Sequence, residues 1–392
     1  MSQLPGQSEN DTASSQHGGP RRWASIHVAA RNGNSSLIET YIKNGASVDS
    51  RMEDGYTPLI VAAYHSHSDA CRLLLDSHAD VNAAGDDGCT ALGLACSNAD
   101  ANLVSLLLSA GASVDVRTQH GFTPLYRTIV RSERENEREV SLQIADILLG
   151  AEADPDIPDD SGTTALTYAC TKGMFKIARL LLEYGADPNL RGIDGRTPLE
   201  LAAFEAYPDI IEQLLAYGAN VNEEGEDMWT PLHLSVQLDK ESTLDAARAL
   251  VEGGADIDAV TDEGLTPLYL AVQANRLDVV RLLLYNETRQ INHRASNDIT
   301  PLEKAVSKSN LGMVNVLLEH GARVDLVDGE GLNIVHIAAK QDDIGVFERI
   351  LRTGADIDLP STDGRQLRPL HVATQRNKNE FVAMLLGRGA RL

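Results

Sequence analysis

The chain has 392 residues, of which 43% are hydrophobic and 23% charged, so it can bury a large core, and disorder over most of its length is excluded. Its 34 basic and 57 acidic side chains give a net charge of −23, which argues against general binding to nucleic acid or to an anionic membrane surface. No apolar run approaches the ~18 residues that a membrane-spanning helix needs.

The first twenty residues, 1–20, are polar and lack the apolar core of a signal peptide. We therefore predict a disordered tail there. Four cysteines, at positions 71, 89, 96 and 170, form no Cys-x-x-Cys pair. That spacing favours reduced thiols in an intracellular protein over a disulfide framework.

From residue 21 onward the chain repeats itself. A Thr-Pro-Leu-like tripeptide marks each repeat, and its first residue falls at Ala24, Thr57, Thr90, Thr123, Thr164, Thr197, Thr230, Thr266, Thr300, Asn333 and Arg368. Six of the ten steps are 33 residues long, and the others range from 34 to 41. About eleven repeats thus occupy residues 21–392, a pattern typical of stacked supersecondary units.

The repeat at 194–222 shows the local chemistry. Thr197 is expected to cap a first helix, and Pro198 suits the first helical position. A second helix, with Leu214 on its buried face, is expected to end at Gly218. One repeat cannot bury both helical faces, so neighbouring repeats must share a continuous core.

These features resemble the ankyrin repeat family, whose signature Thr-Pro-Leu-His-x-Ala recurs at 33 residues. Thr-Pro-Leu-His stands complete at 230–233. Gly-Ala-Asp, whose glycine is expected to end a second helix, stands at 185–187, 254–256 and 354–356. The resemblance implies an all-α repeat fold, an ankyrin-repeat solenoid of paired antiparallel helices with short β-hairpin fingers. It also implies a curved stack with a concave binding surface.

Three segments depart from the pattern. An insertion near 131–141 has mixed charges that favour a lengthened helix or a solvated helical loop, serving either as a tolerated surface insertion or as a partner contact. Near 285–292 the glycine turn is replaced, and we expect a distorted finger there. Residues 361–392 carry six basic and two acidic side chains, which favours a C-terminal cap repeat or, alternatively, a basic interaction patch.

Motifs for catalysis are absent from the sequence. It contains no phosphate-binding loop, dinucleotide fingerprint, His-Glu-x-x-His or nucleophile elbow, so we expect no enzyme activity, no cofactor and no metal. His65 and His67 lack the further fixed ligands that a zinc site requires. Four histidines occupy the fourth motif position, and we interpret them as hydrogen-bonding groups rather than acid–base catalysts: His27, His233, His336 and His371.

Acidic residues cluster between repeats, for example at 154–160, 223–227 and 256–263. One interpretation is that they stabilise turns and keep the molecule soluble. The other is an acidic ridge that attracts a basic segment of a partner.

Two variable columns contain the candidate partner-binding residues. One column precedes the motif threonine, the other lies seven residues after it, and the resemblance places both on the concave surface. Aromatic and arginine side chains are common interface anchors. The candidates are Tyr56, Tyr64, Phe122, Arg196, Phe204 and Trp229. Packing between adjacent fingers is the alternative role for these side chains.

The sequence therefore favours a non-catalytic protein–protein interaction scaffold or adaptor, monomeric, in the cytoplasm, the nucleus or both. Its partner is expected to be another protein, with basic features, and neither nucleic acid nor membrane. Two alternatives stay open: a transcriptional coregulator acting through a DNA-bound factor, and a substrate adaptor of a ubiquitin ligase.

Overall fold

The computed structural model describes residues 25–391 except 134–137, 193, 238–239, 297, 330 and 363–364. The tail predicted at 1–20 and the centre of the predicted insertion, 134–137, lie outside the described residues. The chain divides into two compact parts, residues 1–128 and 129–392, here called the N-terminal and C-terminal parts.

Helices account for the regular structure. In chain order they begin with α1 Ser25–Arg31, α2 Ser35–Lys43, α3 Pro58–Tyr64, α4 Ser68–Asp76, α5 Ala91–Ser97, α6 Ala101–Ser109 and α7 Pro124–Arg131. They continue with α8 Arg138–Gly150, α9 Ala165–Thr171, α10 Phe175–Glu183, α11 Pro198–Glu205, α12 Pro208–Ala216, α13 Pro231–Gln237, α14 Thr243–Glu252 and α15 Pro267–Gln273. The remainder are α16 Leu277–Tyr285, α17 Pro301–Ser307, α18 Leu311–Glu319, α19 Ile334–Lys340, α20 Ile344–Leu351, α21 Pro369–Gln375 and α22 Asn379–Gly387.

Each part is an all-α stack of helix pairs. In the N-terminal part α1, α3 and α5 pack side by side, and α2, α4 and α6 form a second layer against them. In the C-terminal part α9, α11, α13, α15, α17, α19 and α21 form the first layer, and the second helices from α8 to α20 pack along it. Leucines such as Leu74, Leu107, Leu214 and Leu283 are fully buried between the layers. The predicted shared core is confirmed within each part.

Local capping fixes where the first helices begin. The Thr197 hydroxyl accepts a hydrogen bond from the Glu200 N–H (3.2 Å), and the Glu200 carboxylate accepts one from the Thr197 N–H (2.7 Å). Pro198 occupies the first turn of α11, where its missing N–H costs nothing. Gly218 follows α12 with a φ of +88°, which a residue with a side chain rarely adopts. The predicted beginning of α11 and end of α12 are both confirmed.

We use the word finger for the segment that joins one repeat's second helix to the next repeat's first helix. Most fingers are closed by one backbone hydrogen bond across four residues, as from Met52 N–H to Tyr56 O (3.0 Å) and from Gly225 N–H to Trp229 O (2.9 Å). In the described residues the only β-structure is two isolated bridges, Ala84 with Thr90 and Val327 with Asn333. The expected hairpins are therefore reduced to closed turns.

The segment at 285–292 does not produce the distorted finger that its sequence predicts. Glu287 takes the glycine position with a φ of +62°. The following finger keeps the ordinary closing bond, from Ala295 N–H to Ile299 O (3.2 Å). The expectation of a distorted finger was wrong, because a strained left-handed residue replaces glycine without moving the finger.

In most fingers an asparagine or aspartate side chain links the finger to the next one, and we call this series the junction ladder. Its oxygen accepts a hydrogen bond from a backbone N–H roughly one repeat later. In the N-terminal part the pairs are Asp49 with Asp80 and Asn82 with Ser113. In the C-terminal part they are Asp156 with Asp187, Asn189 with Asn220, Asn222 with Asp256, Asp258 with Arg289, Asn292 with Arg323, and Asp358 with Arg391. Two residues of the predicted acidic clusters, Asp156 and Asp258, thus hold neighbouring repeats together.

Helix α8 begins at Arg138, within the predicted insertion, and spans 13 residues, more than any other described helix. A partner contact there stays a prediction. So does the interpretation of residues 361–392 as a cap repeat or a basic patch.

Candidate functional site

The six candidate residues fall into two groups, one in each part. We call the group Tyr56, Tyr64 and Phe122 the N-terminal finger face, and the group Arg196, Phe204 and Trp229 the C-terminal finger face. Each group contains residues that lead into, or lie on, the first helices.

Tyr56 packs between successive fingers. Its ring lies so close to Gly85 that a Cβ there would come 2.4 Å from Tyr56 Cε1. Its hydroxyl donates a hydrogen bond to Asp87 Oδ2 (2.9 Å). Burial, followed by that hydrogen bond, raises the pKa of Tyr56. The ring also packs against the buried cluster that contains Cys89 and Leu94. Tyr56 therefore serves interfinger packing, with part of its ring left at the surface.

Tyr64 lies open to solvent at the end of α3, with 55% of its surface exposed. Its ring meets His65 edge-on, with the ring centroids 5.0 Å apart. Burial, helped by nearby Arg31 and His67, lowers the pKa of His65, so this imidazole is neutral at pH 7. An exposed aromatic ring beside a neutral imidazole is available to a partner.

Tyr56 and Tyr64 line the same groove, which has a volume of about 630 Å³. That volume lies in the range of ligand-binding pockets. The remaining lining residues are Arg31, Met52, Asp54, Val61, His65, Asp86, Asp87 and Gln119. Three carboxylates against one guanidinium give the groove an excess of negative charge. Phe122 is not part of this lining and stacks on Tyr126 instead, with centroids 5.3 Å apart.

In the C-terminal part, Phe204 is flanked by two cations. The Arg196 guanidinium carbon and the Lys240 ammonium each lie 5.2 Å from the Phe204 ring centroid, a cation–π distance. Lys240 Nζ also donates to the Phe204 carbonyl (2.9 Å) and to the Glu205 carboxylate (2.6 Å). The structure thus brings Arg196 and Phe204 together and adds Lys240, which the sequence patterns did not single out.

Trp229 is half-buried and packs against His233, with ring centroids 5.9 Å apart. His233 is fully buried. Its Nε2 donates to the Leu265 carbonyl (3.2 Å), and its Nδ1 accepts from the Thr230 N–H (3.2 Å). Because one ring nitrogen donates and the other accepts, the His233 imidazole is neutral, and both of its nitrogens are hydrogen-bonded.

Each of the other motif histidines also has a ring nitrogen in a hydrogen bond, although His27 Nδ1 is buried without a partner. His27 Nε2 lies 2.9 Å from the Ser50 carbonyl, and His336 Nε2 lies 2.9 Å from the Leu367 carbonyl. His371 Nδ1 accepts from the Arg368 N–H (3.0 Å). The hydrogen-bonding interpretation of these residues is confirmed. For all but His371 a partner is a carbonyl in the next finger.

Of the pair His65 and His67, which the sequence does not favour as a zinc site, His67 has a structural role, since its Nε2 lies 2.9 Å from the Arg31 carbonyl. Among the described residues, no three His, Cys, Asp or Glu side chains are grouped as a metal site would require. The four cysteines are buried and unpaired. No helix in the described portion is long and apolar enough to cross a membrane.

Sequence reasoning missed most of the groove. Met52, Asp54 and Asp86 belong to fingers, and Val61 and His65 lie on or beside α3. The sequence does contain one indication that Asp54 lies at the groove, because it stands two residues before Tyr56 in the same Asp-Gly turn. No local pattern indicates that Asp86, one repeat later, faces the same space.

The model for "Ankyrin repeats (3 copies)" matches residues 10–85, 26–118, 136–225, 208–295, 232–328 and 302–392. These matches leave out only 1–9 and 119–135. The chain belongs to the ankyrin repeat family. Its fold class is the predicted all-α ankyrin-repeat solenoid, and ankyrin repeats are a protein–protein interaction fold.

Individual relatives match over shorter stretches. BCL-6 corepressor-like protein 1 of Homo sapiens is 34% identical over 88 residues, which is 22% of this chain and 5% of that protein. Ankyrin repeat domain-containing protein SAT10 of Stachybotrys chartarum is 34% identical over 116 residues, 30% of this chain and 6% of that protein. The match thus spans only a small fraction of either relative's length.

Among solved structures, the human ASB11 ankyrin repeat domain is similar to this chain at 27% identity with a TM-score of 0.47. The match covers 60% of this chain and 99% of that one.

Proposed function

We propose that this chain is a non-catalytic interaction scaffold or adaptor that binds a basic segment of a partner protein through its finger faces. The observation that carries the proposal is the groove of the N-terminal part, which combines an exposed aromatic ring with an excess of carboxylates. Aromatic side chains supply contact area, and complementary charge supplies steering and specificity. Membership of an interaction family supports the same function.

Selection of peptides on the whole chain from a displayed random library tests this proposal. We expect the enriched peptides to contain arginine or lysine and to compete with one another for the chain. Enrichment of acidic or uncharged peptides would contradict a basic partner.

Trp229→Ala tests the C-terminal finger face. We expect it to weaken binding of a partner segment by about 2 kcal/mol or more, roughly thirtyfold, if the ring is an anchor. Thermal stability should change little, because the ring is only half-buried. Titration calorimetry and thermal unfolding measure the two effects separately.

Leu214→Ala is the matched control for Trp229→Ala. Leu214 is fully buried, so its truncation should destabilise the fold by about 2–5 kcal/mol. If Trp229→Ala instead unfolds its neighbouring repeats while the remaining folded protein binds normally, Trp229 belongs to the packing between fingers.

Association with a basic segment should also depend on salt. Raising the ionic strength from 0.01 M to 0.15 M shortens the Debye length from about 30 Å to about 8 Å, so the association rate should fall by on the order of tenfold. Stopped-flow fluorescence with a selected basic peptide measures this rate. A rate that does not change with salt would remove the steering role from the acidic fingers.

Coregulation through a DNA-bound factor is a second candidate, supported by the match to BCL-6 corepressor-like protein 1. Its test is capture of partners from nuclear extract on the whole chain, together with a direct DNA-binding assay. Capture of a sequence-specific transcription factor without binding of DNA by the chain itself is the result this candidate requires.

A further inference from the structure

We propose that the groove of the N-terminal part is an arginine pocket, in which one guanidinium of the partner stacks on Tyr64 beside the carboxylates of Asp54 and Asp86. The inference rests on the proposed function and names the side chain that this face recognises.

The acidic wall of the groove is built from two successive fingers. The Asp86 N–H donates to the Asp54 carbonyl (3.0 Å), which holds the two fingers together. Asp86 is exposed, and its carboxylate lies beside Gly55, where a Cβ would come 2.5 Å from Oδ1. Glycine at position 55 therefore leaves room for a carboxylate at the groove.

The third carboxylate, Asp87, has a different role. It accepts from the Tyr56 hydroxyl (2.9 Å) and from the Cys89 N–H (2.9 Å). Those hydrogen bonds outweigh the opposing effect of burial and lower the pKa of Asp87, so it stays charged. Asp87 thus fixes Tyr56 in the groove and adds negative charge, while Asp86 is exposed to an incoming cation.

The apolar wall suits the aliphatic stem of a long basic side chain. Met52 is half-buried, Val61 is buried, and the Tyr64 ring is largely exposed. Long basic side chains lay their methylene stems along apolar surface and keep the charged group at the polar edge. The neutral His65 imidazole adds no repulsion at pH 7.

The chain itself contains a guanidinium seated on the equivalent ring. Tyr64 and Phe204 both stand seven residues after their motif threonines, Thr57 and Thr197. In the C-terminal part Arg196 lies over Phe204, with its Cζ 5.2 Å from the ring centroid. The position that corresponds to Arg196 is held by Tyr56 in the N-terminal part. This column can therefore hold a guanidinium at a cation–π distance from its ring, and in the N-terminal part a partner supplies it.

Arginine fits these groups better than lysine does. Its planar guanidinium stacks on an aromatic face and still presents five N–H donors around its edge. Its N–H donors can bond the exposed Asp86 carboxylate while its plane lies against the Tyr64 ring. A lysine ammonium is a compact, strongly hydrated charge that stacks less well.

The test uses the whole chain and an arginine-containing peptide taken from the library selection. Anisotropy of the labelled peptide measures its affinity when the critical arginine is replaced by citrulline, which keeps the shape without the charge, or by lysine. We expect citrulline to weaken binding by at least about tenfold and lysine to weaken it by a smaller factor.

Variants of the groove should reproduce the same loss. Tyr64→Ala and Asp86→Asn are each expected to weaken the arginine peptide by about tenfold and to leave the citrulline peptide almost unchanged. Tyr64→Leu, which keeps an apolar side chain, should behave like Tyr64→Ala. Thermal unfolding confirms that each variant is folded.

Two matched controls come from the C-terminal part. Tyr285 on α16 is an exposed tyrosine (87%), and Asp262 is an exposed aspartate whose N–H donates to the Asp227 carbonyl of the preceding finger (3.2 Å), as Asp86 does to Asp54. Tyr285→Ala should leave the affinity for the arginine peptide unchanged, and Asp262→Asn, which removes a charge of the acidic fingers but none of the pocket, should weaken it far less than Asp86→Asn does.

The outcomes separate this inference from the proposed function. Arginine-dependent binding that survives both Tyr64→Ala and Asp86→Asn overturns the pocket and leaves a basic partner standing. A lysine peptide that binds as tightly as the arginine peptide overturns the assignment to arginine. Selected peptides without basic residues, or no enriched peptide at all, overturn both.

Discussion

Replacing Phe347 by alanine is expected to lower the free energy of unfolding by about 3–5 kcal/mol, through lost burial and the cavity that the ring leaves. Phe347 on α20 is fully buried, and its ring stacks on that of Phe381 on α22, with centroids 4.2 Å apart and planes within 5°. Chemical denaturation followed by circular dichroism measures the change.

The matched control is Ile344→Ala. Ile344 lies on the same helix with 40% of its surface exposed, so its truncation should cost about 1 kcal/mol or less. Equal losses for the two variants would contradict the assignment of the Phe347–Phe381 pair to the core. Because repeats are stabilised mainly by their neighbours, amide exchange should accelerate first around α20 and α22.

Acidification is expected to destabilise the C-terminal part through His233. Burial lowers the pKa of His233 to about 4, whereas the unfolded chain binds a proton near pH 6.5. The stabilisation that comes from keeping His233 neutral is therefore fully present above about pH 6.5. It is lost as the pH falls towards 4, which lowers the free energy of unfolding by about 3 kcal/mol. The cause is structural: the Nε2 that donates and the Nδ1 that accepts require a neutral ring.

Denaturant unfolding of the native chain and of His233→Gln, at several pH values between 7.5 and 4, isolates this effect from the titration of carboxylates. The stability difference between the two proteins should shrink as the pH falls. A difference that stays constant over this range would show that His233 does not carry the pH dependence. Burial lowers the pKa of His27 and His336 as well, so they act in the same direction.

The sequence predicted those parts of the fold that depend on neighbouring residues. The cap by Thr197 and the glycine end at Gly218 involve residues within one turn, so residue type and spacing define them. Hydrogen-bond partners that lie one repeat away cannot be inferred from residue type and spacing within one turn. Nothing near His233 in the sequence indicates that its ring reaches the Leu265 carbonyl, 32 residues later.

The candidate site was predicted less completely, for the same reason. Tyr56 and Tyr64 belong to the two variable columns, for which the sequence predicts the same partner-binding role. In the structure Tyr56 packs on the finger that contains Gly85, whereas Tyr64 is largely exposed. The difference lies in the next repeat, where a glycine admits the Tyr56 ring. Asp86 enters the groove because two fingers are hydrogen-bonded side by side, which a pattern within one repeat does not encode.

The junction ladder makes repeats interchangeable within a part. Asn189 and Asn222 occupy equivalent places, and each accepts from a backbone N–H of the finger that follows. Deleting residues 190–222 would bring Asn189 opposite the Asp256 N–H, so the new junction would form with groups already suited to it. Deleting half that length would leave an amide without its acceptor. Whole-repeat gain or loss is thus the change in chain length that this architecture accommodates.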